Sequence, residues 1–107
     1  MNYIIQYVEE LDTDFEIPEL DASPYRDIKE FMEGEHAAVH AAFLSALYNG
    51  ITGNLSIVPA FAVKDSDSVV NIARDEYPRW LQDCLTYFTD SEQYELCSVL
   101  IDLEKQL

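Results

Sequence analysis

Basic residues are scarce in this chain of 107 residues, which has six Lys and Arg against 21 Asp and Glu and a formal net charge of −15 with neutral histidines. A chain with this much negative charge repels phosphate groups. Nucleic acid and anionic membranes are therefore unfavourable direct partners. The natural partner is a strongly cationic protein, because long-range attraction raises the rate of association. The competing interpretation is a charged surface that only keeps the protein in solution.

Glycine and cysteine are also few. Three glycines leave no pattern for a P-loop or a dinucleotide-binding turn. The two cysteines, Cys84 and Cys97, lie within apolar helical patterns and form no CxxC pair, which predicts free, buried thiols in a reducing compartment. The chain begins without the basic segment of a signal peptide, so we expect a cytoplasmic protein of a bacterium or its phage.

Long uninterrupted apolar runs are missing. Residues 36–63 carry no Asp, Glu, Lys or Arg, but Asn49-Gly50, Gly53-Asn54 and Pro59 break this stretch. It predicts a buried helix, a turn and then an irregular or strand-like segment, in preference to a membrane span of about 20 apolar residues. The apolar fraction of 49% is that of a folded protein, and the length predicts a single domain over residues 1–107.

The hydrophobic periodicity predicts a mainly α fold, a compact bundle of five or six short helices with a short extended or β segment near residues 55–63. The opening YIIQYVEEL is ambiguous, since Ile4, Val8 and Leu11 have helical spacing whereas the β-branched and aromatic content favours a strand. We favour the helix. Residues 12–22 are predicted to form a loop, because Pro18 and the dense acids oppose regular structure.

The remaining helices are predicted from their caps. Ser23 and Pro24 start a helix that Gly34 either ends or kinks, and the next helix runs from Glu35 to Asn49 with Gly50 as terminator. A central strand at residues 55–63 is not expected, because Pro59 lacks a ladder donor.

Three further helical segments follow in the sequence. KDSDS caps VVNIARDEY, and Pro78 occupies the first turn of PRWLQDCLTYF. Thr89 to Glu92 reads as a capping box for a last helix that runs to about Lys105.

The stretch EELDTDFEIPELD, residues 9–21, holds seven carboxylates and no Lys or Arg. If residues 12–16 are extended, Asp12, Asp14 and Glu16 share one face at intervals of about 6.6 Å, a row similar in spacing to the phosphates of a nucleic-acid strand. Phe15 then either anchors the segment to the core or enters the partner. The predicted partner-binding residues are Glu9, Glu10, Asp12, Asp14, Phe15, Glu16, Glu19, Asp21 and Tyr25. The alternative is a solvated loop.

The sequence predicts no catalytic residue, no metal site and no cofactor. Asp12 and Asp14 resemble the start of a calcium loop, but Ile17 and Ser23 stand where that loop needs Gly and Glu. His36 and His40 share a helix face, yet Ala37 replaces the Glu of a zinc protease and no second ExxH unit supports a di-iron site. We therefore expect a protein that is not an enzyme.

In length, acidity and expected helix content the chain resembles the small immunity proteins that protect bacteria from their own nuclease toxins, including partners of colicins and of contact-dependent growth inhibition toxins. The resemblance implies a cytoplasmic protein that binds and neutralises a basic RNase or DNase without catalysis.

A second hypothesis is a nucleic-acid mimic from a phage or mobile element, an anti-restriction or anti-CRISPR protein that inhibits a host DNA-binding enzyme. A mimic is expected to display a long, regular stripe of carboxylates. An immunity protein is expected to concentrate them on one patch with apolar anchors.

Overall fold

The structure, a computed structural model, describes residues 2–107 and combines one sheet with four α-helices. The strands are β1 Asn2–Val8, β2 Thr13–Leu20, β3 Ile57–Val63 and β4 Val69–Ala73. The helices are α1 Ile28–Gly34, α2 His36–Thr52, α3 Tyr77–Asp90 and α4 Tyr94–Glu104, with 3₁₀ turns at Glu9–Leu11 and Arg74–Glu76. The prediction of a mainly α bundle of five or six helices is therefore wrong, because the fold is α+β.

The sheet has the strand order β1-β2-β3-β4. Strands β1 and β2 form an antiparallel hairpin, and so do β3 and β4. Between the hairpins, β2 and β3 are parallel and are connected through α1 and α2. This connection places a layer of helices against the sheet.

The first hairpin overturns two predictions, the helix at the start of the chain and the loop over residues 12–22. Its register runs from Asn2 opposite Glu19 to Val8 opposite Thr13. The chain reverses at Asp12, which has the left-handed backbone angles φ 48° and ψ 49° that Asp tolerates better than most residues. Pairing between the two segments therefore outweighs the helical spacing in one and the proline in the other.

Strand β3 lies inside the sheet, so the expectation that Pro59 excludes a central strand is wrong. The ladder to β4 changes register between Pro59 and Phe61, and the ladder to β2 is confined to Ala62 and Val63. The missing N–H of Pro59 thus falls at an irregularity, where a proline is tolerated. The segment expected as a helix over VVNIARDEY begins instead with β4, because it pairs with β3.

The predictions made from the sequence are more accurate for the helices than for the strands. Helix α1 ends at Gly34, which is one of the two predicted alternatives. The predicted start at Ser23 and Pro24 is wrong, because the N-cap is Asp27, whose carboxylate accepts the Glu30 N–H at 2.8 Å. Helix α2 continues past Gly50 to Thr52, so this glycine is buried within the helix. Helices α3 and α4 lie where expected.

The predicted capping box at Thr89 is wrong. Helix α3 runs on to Asp90, so Thr89 lies inside it. The N-cap of α4 is Gln93, which makes no side-chain capping bond.

The core lies between the sheet and α2 and continues between α2 and the pair α3–α4. Phe43 of α2 lies 6.1 Å from Phe61 of β3 between ring centroids, and both are buried. Cys84 and Cys97 are free and buried, as predicted. None of the helices in residues 2–107 has the length and hydropathy needed to cross a membrane.

Candidate protein-binding interface

The β1–β2 hairpin, residues 2–20, collects negative charge that forms no ion pair with Lys or Arg in the described residues. We call it the acidic hairpin. It carries no Lys or Arg, and its six carboxylates are Glu9, Glu10, Asp12, Asp14, Glu16 and Glu19. Four ion pairs occur within residues 2–107, and none of them involves the hairpin. Its charge is therefore available to a partner.

One face of the hairpin joins exposed apolar side chains to carboxylates. Alternate β1 residues Tyr3, Ile5 and Tyr7 are 55%, 64% and 52% exposed. Directly opposite them on β2 stand Pro18, Glu16 and Asp14, in that order, and both acids are exposed. Because alternate residues of a strand point to the same side, these six side chains form one surface, which we call the Tyr3–Tyr7 face.

The row of three carboxylates predicted on one extended segment is shorter in the structure. Asp14 and Glu16 belong to β2 and lie about 6.6 Å apart along it, but Asp12 lies in the turn before the strand. The Tyr7 hydroxyl donates a 2.6 Å hydrogen bond to Oδ1 of Asp12, and this bond raises the pKa of Tyr7. Asp12 thus fixes a ring of the Tyr3–Tyr7 face.

Glu10 holds the turn of the acidic hairpin against the start of β3. Its carboxylate oxygens accept the Ser56 N–H at 3.0 and 3.1 Å, and Oε1 accepts the Ser56 hydroxyl at 2.7 Å. These bonds lower the pKa of Glu10, because they favour the ionised carboxyl group. Of the predicted binding residues, Glu10 therefore positions the hairpin, while its neighbour Glu9 is exposed.

A cleft of about 310 Å³ lies beside this contact, between the hairpin and β3. Its lining comprises Gln6, Tyr7, Val8, Glu9, Glu10, Ser56, Ile57, Pro59 and Asn71. The set contains no histidine, cysteine or lysine. Of its two carboxylates, Glu10 is hydrogen-bonded to Ser56, whereas Glu9 is exposed.

Phe15 and Glu19 lie on the opposite side of β2 from Asp14 and Glu16, by the alternation of the strand. Phe15 is half-buried and packs against the core, which is the first of the two alternatives derived from the sequence. Glu19 is half-buried. The structure therefore does not bring these two residues to the Tyr3–Tyr7 face.

Asp21 and Tyr25 follow the hairpin and engage local partners. Asp21 accepts the Ser23 N–H at 2.9 Å, and hydrogen bonding by Ser23 lowers the pKa of Asp21. The Tyr25 ring packs edge-on to Phe31 with centroids 5.7 Å apart. Its hydroxyl donates to Oε1 of Glu35 at 2.7 Å, and this bond raises the pKa of Tyr25. Both residues order the connection from β2 to α1.

The predicted set of binding residues lacks Tyr3, Ile5 and Tyr7, and the helix expected at the start of the chain does not place these three residues in one row. In a helix Ile5 would lie on the opposite face from Tyr3 and Tyr7, whereas in a strand all three form one row. Their spacing of two, with aromatic and β-branched side chains, is the sequence signal that predicts the strand.

The two histidines form a structural cluster between α2 and α3. His40 is buried, and its ring stacks on Tyr87 with centroids 4.1 Å apart. Its Nδ1 lies 2.8 Å from the His36 carbonyl oxygen and its Nε2 lies 3.0 Å from Oδ2 of Asp83. Neither ring nitrogen is left for a metal, and the chain from Asn2 to Leu107 contains no group of three or more potential metal-ligating side chains.

The thiols have no setting that activates them. Burial raises the pKa of Cys84 to about 12, and the nearby charge of Asp83 acts in the same direction. A thiol with such a pKa carries almost no thiolate at neutral pH, so Cys84 is suited to packing and not to nucleophilic attack.

The chain matches no protein-family model, no curated protein and no solved structure. The function is therefore inferred from the geometry and charge of the acidic hairpin.

Proposed function

We propose that this protein is an inhibitor of the immunity-protein type, which binds a cationic protein toxin and neutralises it. A nuclease is the toxin class that fits best, because enzymes that act on nucleic acid present a basic substrate groove. The observation that carries the proposal is the Tyr3–Tyr7 face, where exposed apolar side chains stand next to carboxylates without an internal counter-charge. We place its action in the cytoplasm, a reducing compartment in which two buried free thiols persist.

The two kinds of side chain on this face have different roles in binding. Asp14 and Glu16 attract a cationic surface from a distance and raise the association rate. Tyr3, Ile5 and Tyr7 offer large contact areas that slow dissociation once they are covered. Tyrosine suits this role because it contributes much area at a low cost in conformational entropy. Neutralisation by such a surface requires neither catalysis nor a cofactor.

The alternative proposal, mimicry of nucleic acid, needs a longer regular row of carboxylates. The turn at Asp12 limits the row on β2 to Asp14 and Glu16, and apolar rings stand beside them. A short acidic patch with apolar anchors favours a protein partner that is recognised by shape as well as charge. This supports the immunity-type inhibitor over the mimic.

Co-expression with the product of the neighbouring gene tests the proposal. We expect a cationic protein to co-purify with this chain, to bind it with nanomolar affinity and to lose its nuclease activity in the complex. The Tyr3–Tyr7 face should be protected from solvent in that complex. Hydroxyl-radical footprinting of the free and bound chain measures this protection at the side chains of Tyr3 and Tyr7.

Two outcomes would overturn the proposal. One is a chain that binds no cationic nuclease but inhibits a restriction or CRISPR complex, which is the behaviour of a mimic. The other is a chain that turns over a small substrate by itself. In both cases the charge of the acidic hairpin would need a different explanation.

A further inference from the structure

The outer edge of β1 is an unpaired sheet edge. Strand β1 stands at one end of the sheet and pairs with β2 alone. In an antiparallel pair every second residue points its N–H and C=O groups away from the neighbouring strand. Those groups of β1 are therefore directed to the outside of the sheet, along a strand of seven residues.

This edge lacks the features that normally protect an edge strand. Natural edges are blunted by Lys, Pro, bulges or short length, but the β1 sequence NYIIQYV contains no charge and no proline. Its pairing with β2 is continuous from Asn2 to Val8, without a bulge. The opposite edge, β4, has only five residues. Strand β1 is thus the better template for an additional strand.

The charge beside β1 selects the kind of strand that can be added. An added strand lies about 4.8 Å outside β1, and its alternate side chains stand next to Tyr3, Ile5 and Tyr7. Lys or Arg at those positions can rest on the tyrosine rings, where cations are attracted within about 6 Å of the centroid. The same long side chains extend toward the exposed carboxylates of Asp14 and Glu16 on the next strand.

A second copy of this chain is a poor occupant of the edge. Pairing of β1 with another β1 would bring together two acidic hairpins of six carboxylates each, in chains of formal charge −15. Like charges brought together at such an interface oppose association. A cationic segment removes this repulsion.

We propose that β1 is a strand-addition site, at which an extended segment of the cationic partner pairs with the free edge and sets Lys or Arg side chains over Tyr3 and Tyr7. The partner's charge rests on the proposed function, whereas the mode of binding rests on the edge itself. Backbone hydrogen bonds supply the affinity, and the Tyr3–Tyr7 face selects the side chains.

A blocked seven-residue peptide that alternates lysine and valine probes the site without knowledge of the natural partner. Amide hydrogen exchange of the full chain is measured with and without the peptide. We expect alternate β1 amides to exchange about tenfold more slowly when the peptide is bound. The amides of β4, the other sheet edge, serve as the internal control and keep their exchange rates.

A second peptide, in which proline replaces each valine, keeps the charge but cannot form a strand ladder. We expect this peptide not to slow the hydrogen exchange of the β1 amides. Equal binding of both peptides without β1 protection would overturn strand addition, and so would failure of the lysine–valine peptide to bind. If the chain instead forms a dimer through β1 as the protein concentration rises, the proposal that a cationic segment occupies this edge is wrong.

These outcomes are separate from a failure of the proposed function. If a neutralised toxin is found but the β1 amides of its complex exchange as fast as in the free chain, strand addition is wrong and the inhibitor proposal stands. If the peptide protects β1 but no cationic toxin binds, strand addition stands and the inhibitor proposal is wrong.

Discussion

His40 of α2 and Asp83 of α3 are joined by a contact of 3.0 Å between Nε2 and Oδ2, while Nδ1 of the same ring lies 2.8 Å from the His36 carbonyl oxygen. Both partner oxygens lie within hydrogen-bonding distance, so the ring uses both of its nitrogens in contacts to the protein. The His40 side chain is buried, whereas the Asp83 carboxylate is about half exposed. The pair connects two helices of the core.

Removal of Asp83 should destabilise the protein. Asp83→Ala leaves the buried His40 ring without its partner on α3, which costs about 1 to 3 kcal/mol. Urea unfolding measures this cost, with the exposed Asp90→Ala as control. Equal free energies of unfolding for the two variants would contradict a stabilising contact between His40 and Asp83.

The contact between Glu10 and Ser56 should stabilise the fold above the ordinary pKa of a glutamate. The folded-state pKa of Glu10 is lowered by the Ser56 hydrogen bonds, so the contribution is present above the unfolded pKa and is lost as the pH falls through the folded one. Glu10→Gln should therefore unfold more easily than the wild type near neutral pH and match it in acid. Glu9→Gln, an exposed neighbour, is expected to show no such convergence.

Gly50 should not tolerate a methyl group, because Tyr77 fills the space beside it. An added Cβ would meet the Tyr77 hydroxyl, with Cζ at 2.8 Å and Cγ1 of Val58 at 3.0 Å. We expect Gly50→Ala to cost about 1 to 3 kcal/mol through overpacking. The cost should fall when Tyr77 is changed to Phe, which removes the colliding oxygen. Additive costs in this double-mutant cycle would show that the two residues do not compete for space.

The single substitution Tyr77→Phe is also expected to destabilise the protein. The Tyr77 hydroxyl donates to the Leu55 carbonyl oxygen at 2.9 Å in a buried setting. Its loss should lower the free energy of unfolding by about 1 kcal/mol. This single variant supplies the reference for the cycle with Gly50.

The thiols should react only when the protein unfolds. Cys84 is fully buried with a pKa of about 12, and Cys97 is buried as well. A disulfide reagent at pH 8 should therefore label both no faster than the chain opens, and denaturant should accelerate the reaction. The variants Cys84→Ala and Cys97→Ala show which thiol is responsible for each kinetic phase of the labelling. Rapid labelling of Cys84 in the native protein would contradict its burial.

Charge reversal on the Tyr3–Tyr7 face should slow association with a cationic partner. Asp14→Lys with Glu16→Lys should lower the association rate constant about tenfold or more at low salt, and less at high salt. The matched control, Asp90→Lys with Glu95→Lys, makes the same change in net charge at exposed positions near the α3–α4 connection. Equal effects of the two pairs would show that total charge, and not this face, steers the encounter.

The helices of the second half were predictable because local signals agree with burial. In PRWLQDCLTYF, the positions of Leu81, Cys84 and Phe88 repeat at helical spacing, and all three are buried in α3. Pro78 stands in the first turn, as its fixed φ favours. In the last helix Leu96, Leu100 and Leu103 face the core in the same way.

The first hairpin was not predictable in this manner. Ile4, Val8 and Leu11 fit a helical stripe, and Pro18 with its acidic neighbours suggested a loop. The strands form because the two segments pair with each other over seven positions. This pairing is a contact between segments, which local periodicity does not report.

The amino-acid sequence by itself determined the charge, the free thiols and the helical face of each long helix, because these depend on composition and on spacing within one segment. Only the tertiary structure decided that the acidic segment is a strand, that Glu10 is bound to Ser56, and that Tyr3, Ile5 and Tyr7 share a face with Asp14 and Glu16. Those relations join residues that are distant in the chain, and the free energy that fixes them comes from pairing and packing between segments.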